Sequence, residues 1–207
     1  EAAVSELLLT NVQNQNLGAS LSVVVSDEGN YGEGGVLTDS LSTSAFIIAV
    51  NDRPTLTTSP PYETPQDVAY AMPPIVFADV DALPSDLISV NVTVVNGTVT
   101  LDGVDEDVRS RLTITLGHAT QRVSSLVFEA AVVDANATLH QLTFWSLGDQ
   151  LGPAVVRVSV DDQGANGLGG PMQASVAVGV DVFFKYPSMA ILANTGEAVD
   201  EDSPPVR

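Results

Sequence analysis

The chain has 207 residues and a formal net charge of −19, with 7 basic side chains against 26 acidic ones. One lysine (Lys185) and six arginines cannot build a basic patch, which excludes nucleic acid and anionic membrane surfaces as partners. Cysteine is absent, so disulfides, thiolate zinc sites and cysteine nucleophiles are excluded as well.

Aromatic residues make up 5% and charged residues 16%, while apolar residues reach 44%. That mixture predicts an aliphatic, β-branched core and is too hydrophobic for a disordered acidic tail. The acidity reads either as a solvated surface or as carboxylates clustered for a divalent cation. No apolar run approaches the ~18 residues that suggest a membrane-spanning helix. A start at Glu1 with no signal peptide reads as a mature or internal segment of something longer.

In chain order, the hydrophobic period is close to two almost throughout. Strands are predicted at 21–25, 42–50, 88–95, 99–101, 112–116, 139–144, 155–160 and 174–184. Asn96-Gly97 lies between two of them and predicts a type I′ hairpin. Residues 123–133 read as a short helix or a further strand. Short strands at regular spacing, separated by Gly, Asn, Asp and Pro, predict an all-β fold: an Ig-like antiparallel β-sandwich.

Two stretches are one loop written twice. Asp27-Glu28-Gly29 aligns with Asp162-Gln163-Gly164, and Gly32 to Gly35 with Gly167 to Gly170, at a constant offset of 135 residues. Each is followed by a long apolar strand ending near a proline, Pro54 and then Pro187. The expected organisation is therefore residues 1–53 as the back part of one repeat, 54–187 as a complete β-sandwich repeat, and 188–207 as a linker opening the next. The half unit at 1–53 then needs completion, by chain preceding Glu1 or by another copy. The glycines themselves read as hairpin connections that need positive φ, since no helix opens after either loop to make a phosphate cradle.

The order of motifs resembles cadherin-like (VCBS-type) tandem repeats of extracellular adhesins and surface fibre proteins. The residues that carry the likeness are Val50-Asn-Asp-Arg-Pro54, Asp79-Val-Asp81, Val95-Asn-Gly-Thr-Val-Thr-Leu101 and Val199-Asp-Glu-Asp202. The resemblance covers nearly the whole chain. It implies head-to-tail β-sandwiches outside the cell, with calcium at the joints. The implied ligands are Asn51 and Asp52 in the linker, Asp79 and Asp81 in the D-x-D, and Glu201 and Asp202 opening the next repeat. Asp79 and Asp81 are expected on one side of an extended strand. Glu63 and Asp67 are the nearest acidic pair inside the full repeat, at a spacing that departs from the pattern. The second linker, Lys185-Tyr186-Pro187, lacks the Asn-Asp pair.

Three N-glycosylation sequons begin at Asn91, Asn96 and Asn136. Ser59-Pro60-Pro61 and Ser203-Pro204-Pro205 resemble the O-glycosylated Ser-Pro-Pro sites of algal and plant wall proteins, and equally suit stiff polyproline linkers. His118 and His140 form no zinc motif, and no G-x-S-x-G elbow occurs. His140 reads as a strand residue and Trp145 as a core residue. The combined expectation is a non-enzymatic extracellular structural glycoprotein, a tandem-repeat segment of a surface fibre or filament. Its partner is itself, and its cofactors are calcium and covalent glycans. The alternative is a calcium-dependent adhesin or carbohydrate-binding module.

Overall fold

The structure is a computed structural model that describes residues 7–10, 18–29, 32–59 and 62–184. It is an all-β sandwich with two short helices. In chain order the strands are β1 (Ala19–Ser26), β2 (Thr38–Ala45), β3 (Thr55–Thr57), β4 (Glu63–Pro65), β5 (Tyr70–Ala71), β6 (Val76–Ala78), β7 (Leu87–Val95) and β8 (Gly97–Thr100). Then come α1 (Glu106–Ser110), β9 (Thr113–Leu116), β10 (Ser125–Ala131), α2 (Val132–Leu139), β11 (Thr143–Ser146), β12 (Gly152–Asp161) and β13 (Gln173–Phe183).

The large sheet runs β4-β13-β12-β7-β10-β9. Its pairings are antiparallel except at one edge, where β4 lies parallel to the end of β13. Period-two alternation decides which face is inside. β7 buries Ile88, Val90, Val92 and Val94, and β12 buries Ala154, Val156, Val158 and Val160. Their odd-numbered neighbours, including Asn91 and Ser159, face outward and pair with each other. The opposite layer consists of the β5-β11-β8 and β3-β6 sheets together with α2. It contributes Phe77, Val99, Leu139 and Phe144 to the same core. Each fully buried valine or leucine contributes roughly 1.5–3 kcal/mol.

Four local expectations are corrected. Asn96-Gly97 joins no hairpin, because β7 and β8 belong to different sheets and do not pair. Asn96 takes φ 60° and turns the chain from one layer to the other, and its amide donates to the Pro153 carbonyl at 3.1 Å. Gly97 is buried against the Phe144 ring, so the glycine serves close packing at a corner. The ambiguous segment from residue 123 resolves as strand β10 running straight into helix α2. The segment at 139–144 is the end of that helix, with His140 as its C-cap, followed by β11. Finally, the strand expected at 42–50 ends at Ala45.

Helix α2 has no side-chain N-cap. Its first amides, Val132 and Val133, donate instead to the carbonyls of Asp86 and Pro84. Asn136 ties the helix to β6: its Oδ1 accepts from the Phe77 amide at 2.9 Å and its Nδ2 donates to the Phe77 carbonyl at 3.1 Å. Helix α1 is started by Asp105, whose carboxylate accepts from the Asp107 amide at 2.8 Å. The α2 contacts fix the end of β6 and the 79–86 turn, where acidic residues gather.

The β1–β2 hairpin repeats the β12–β13 hairpin in register. Ala19 faces Ala45 and Ser26 faces Thr38, and 135 residues later Ala154 faces Val180 and Asp161 faces Gln173. The connecting loops match as well. Glu28 and Gln163 have φ of 52° and 55°, and Gly35 and Gly170 both have 75°. Asp27 accepts from the amides of Gly29 and Leu37 at 2.9 and 2.8 Å, and Asp162 accepts from Gly164 and Met172 at 2.7 and 2.8 Å. The positive φ values bear out the reading of the glycines as hairpin connections.

Candidate functional site

The acidic residues converge where three segments meet: the linker at 49–52, the turn at 79–86 and the Gly-rich loop at 161–170. The linker is wired into the loop. Asn51 donates its backbone amide to the Leu168 carbonyl, and Leu168 returns its amide to Ala49, both at 2.9 Å. Asn51 is 2% exposed, and its Nδ2 donates to Asp162 Oδ2 at 2.8 Å and to the Gly170 carbonyl at 2.9 Å. Gly167 makes the approach possible, since a Cβ there would overlap the Asn51 backbone nitrogen and sit 2.6 Å from the Val50 carbonyl carbon.

The turn joins the same network. Asp79 Oδ1 accepts from the Asp81 amide at 2.9 Å, so the D-x-D forms a side-chain turn after β6 rather than lying along a strand, which corrects the expected geometry. Asp81 Oδ2 accepts from the Asp52 amide at 2.6 Å. Asn166 donates its side-chain amide to the Asp81 carbonyl at 3.0 Å and to Asp86 Oδ2 at 2.5 Å. Asp52 joins through its backbone and is itself an exposed residue.

Among the described residues, two buried oxygens in this network have no donor: Asn51 Oδ1 and Asp79 Oδ2. Asp162 beside them is fully buried. Burial pushes the Asp79 carboxyl above its ordinary value, and the charges of Asp162 and Asp81 push the same way, against the lowering effect of the Asp81 amide. Acceptor-only oxygens held in one network with an excess of negative charge have the chemistry of a hard-cation site. Among the described residues, however, no three Asp, Glu or His side chains converge closely enough to hold an ion as they stand.

Of the sequence candidates, Asn51, Asp52, Asp79 and Asp81 therefore meet at one site. Glu201, Asp202, Pro60, Pro61, Pro204 and Pro205 lie outside the described residues. Glu63 is an exposed residue of β4, and Asp67 donates its backbone amide to the Ser146 hydroxyl; the hydrogen bonds of this network include neither. Sequence reasoning missed Asp162, Asn166 and Asp86. Asp162 carried a signal: it continues the inward parity of Val156, Val158 and Val160, a carboxylate in phase with a buried stripe.

The sequons fall in three settings. Asn91 is exposed at the centre of the outer face of the large sheet. Asn96 is exposed at the corner, with its amide already donating to Pro153. Asn136 is half-buried with both amide atoms engaged by Phe77. Trp145 is half-buried on the outer side of β11 rather than in the core, and the Arg122 guanidinium stacks on its ring at 3.5 Å from the centroid. Among the described residues, no helix is long and apolar enough to cross a membrane.

No family model matches the chain, and no curated protein does. Solved structures with a likeness to it include extracellular cadherin domains 1–5 of protocadherin gamma B2, at 13% identity and a TM-score of 0.43 over 82% of this chain and 27% of that one. The protocadherin gamma B7 EC3–6 cis-dimer matches at 13% identity and 0.43, over 83% and 34%. Domains 3–6 of protocadherin gamma B2 match at 11% identity and 0.38, over 80% and 32%. The chain thus spans about a third or less of each of these chains.

Proposed function

We propose that this chain is a segment of a non-enzymatic extracellular structural glycoprotein, built from β-sandwich units in tandem along a surface fibre. The observation that carries this reading is the recurrence of one hairpin and loop at a fixed offset, with identical register and matching backbone angles. A second is that the stretch at 49–52, between the first hairpin and the sandwich, is not a free tether. It is bonded to the Gly-rich loop through Asn51 and to the turn through Asp52, which limits how far successive units can bend.

Calcium is the cation this joint would take. Asn51 Oδ1, Asp79 Oδ2, Asp81 and Asp162 would hold it after a small closure of the turn onto the loop. A bound ion would neutralise the repulsion among the three carboxylates and satisfy the two orphaned oxygens. Among the sequons, Asn91 is the one whose side chain is both exposed and uncommitted, which makes it the favoured glycan acceptor. An acidic, glycosylated surface would keep neighbouring fibres apart.

Electron microscopy of the native material tests the reading. Beaded rods with a repeat of one sandwich are expected. Isolated compact particles with no longitudinal repeat would overturn it.

A further inference from the structure

Asn91 stands where two grooves meet on the outer face of the large sheet. One, of about 220 Å³, runs past Arg157, Ser159, Ser175 and Ala177. The other, of about 490 Å³, runs past Ser89, Asp161 and Gln173. Asn91 and Ser159 line both. Strand pairing sets the rows of this face. Ser175, Ser159 and Asn91 stand side by side, and Ala177, Arg157 and Thr93 form the next row. All six lie on β7, β12 and β13, interior strands paired on both sides within the sheet.

Three features narrow what this face takes. Neither groove contains an aromatic ring. The face therefore lacks the anchors of a protein interface and the apolar lining of a pocket for a free small molecule. The exposed Arg157 guanidinium has no hydrogen bond or ion pair among the described residues, in a chain of net charge −19. On the other side of Asn91, Asp161 is already occupied by the Gln163 amide and the Gln173 side chain, both at 2.8 Å. Finally, the sequon residues Asn91 and Thr93 sit in the midst of these hydroxyls. A hydroxyl-rich ligand tethered at Asn91 needs little intrinsic affinity, because a short tether supplies it at a millimolar effective concentration. We infer that the outer face of the large sheet is a bed for the N-linked glycan of Asn91. The first sugars lie back over β12 and β13 instead of projecting into solvent. The Arg157 guanidinium donates to their oxygens, and Ser159 and Ser175 exchange hydrogen bonds beside it.

The inference rests on the glycan proposed for Asn91, and the experiment separates the two. The full chain is secreted from a host that N-glycosylates, and peptide mass spectrometry reads occupancy at Asn91. No glycan there overturns the glycan reading and the bed together. With the glycan present, its release by an endoglycosidase that cuts between the first two sugars is timed on the folded chain. Release is expected to be about tenfold slower from the parent than from Arg157→Ser, the worth of one charge-assisted contact. Trimming to a single sugar is expected to shift the amide signals of 157–159 and 175–177. Equal release rates, or shifts confined to 90–92, overturn the bed and leave the glycan reading standing. Saturable shifts at 157–177 when Asn91→Gln meets sub-millimolar chitobiose would also overturn it, by making the face a site for outside carbohydrate.

Discussion

Asn51 and Asp162, 111 residues apart in sequence, are joined side chain to side chain at 2.8 Å in a buried setting. Asp162 also accepts from the amides of Gly164 and Met172, so one carboxylate holds the linker and shapes the loop. Asp162→Ala strips three donors of their acceptor at once and is expected to cost about 2–4 kcal/mol. Urea denaturation measures it. The matched change Asp27→Ala, in the exposed copy of the loop, is expected to shift the midpoint far less. Equal losses would mean that the linker contact contributes nothing.

Asp79 gives a prediction of opposite sign. Its folded-state pKa is raised from 3.8, chiefly by burial. A raised carboxyl pKa destabilises the fold as pH climbs from 3.8 through the folded value, because the unfolded chain ionises first. Asp79→Asn is therefore expected to raise stability at pH 7 in chelator, while keeping the Oδ1 bond to Asp81. The calcium-induced rise in melting temperature expected of the parent chain under the proposed function should be lost in the same variant. A destabilised variant, or one with an intact calcium response, would remove Asp79 from the proposed cation site.

Asp134 behaves the other way. The Arg111 guanidinium grips it with two hydrogen bonds, at 2.9 and 2.6 Å, and holds its carboxyl below 3.8. A depressed carboxyl contributes stability that is complete above 3.8 and is lost as pH falls through the lower folded value. Acid unfolding of Arg111→Gln should therefore begin at higher pH than in the parent. Superimposable acid limbs would show that the pair contributes nothing to folding.

Gly97→Ala places a methyl group into the Phe144 ring and 2.9 Å from the Trp145 carbonyl. Neither neighbour is free to retreat, because β11 is fixed between β5 and β8. A loss of about 2–3 kcal/mol is expected by denaturation.

Peptide mass spectrometry of the native protein should find a glycan at Asn91 and none at Asn136. Any glycan on Asn136 would have to displace both bonds to Phe77, separating α2 from β6.

Where alternation alone decides, the strands were legible in the sequence: residues 88–95 and 155–160 lie on β7 and β12, and of the predicted 174–184 all but residue 184 lie on β13. Reading failed where long-range contacts override local preference. Asn96-Gly97 has the chemistry of a tight hairpin, but burial of Gly97 against Phe144 makes it a corner between layers. Helix α2 begins with two valines and no cap side chain, since the carbonyls that cap it come from 84–86. Asn51, Asp52, Asp79 and Asp81, picked out by the resemblance, do lie in one network, while Asp162 and Asn166 reach the same place only through the loop fold.

The parallel contact between β4 and β13 sets how the sandwich responds to load. Asp181 donates to the Tyr62 carbonyl and Gln66 to the Phe183 carbonyl, so the first and last stretches of the sandwich lie side by side and run the same way. Tension applied at its two ends pulls these strands past one another, straining the cross-bonds together in shear rather than peeling them apart one at a time. A fold closed in this manner loads several bonds at once under stretching, which is what the proposed tandem fibre would ask of each of its units.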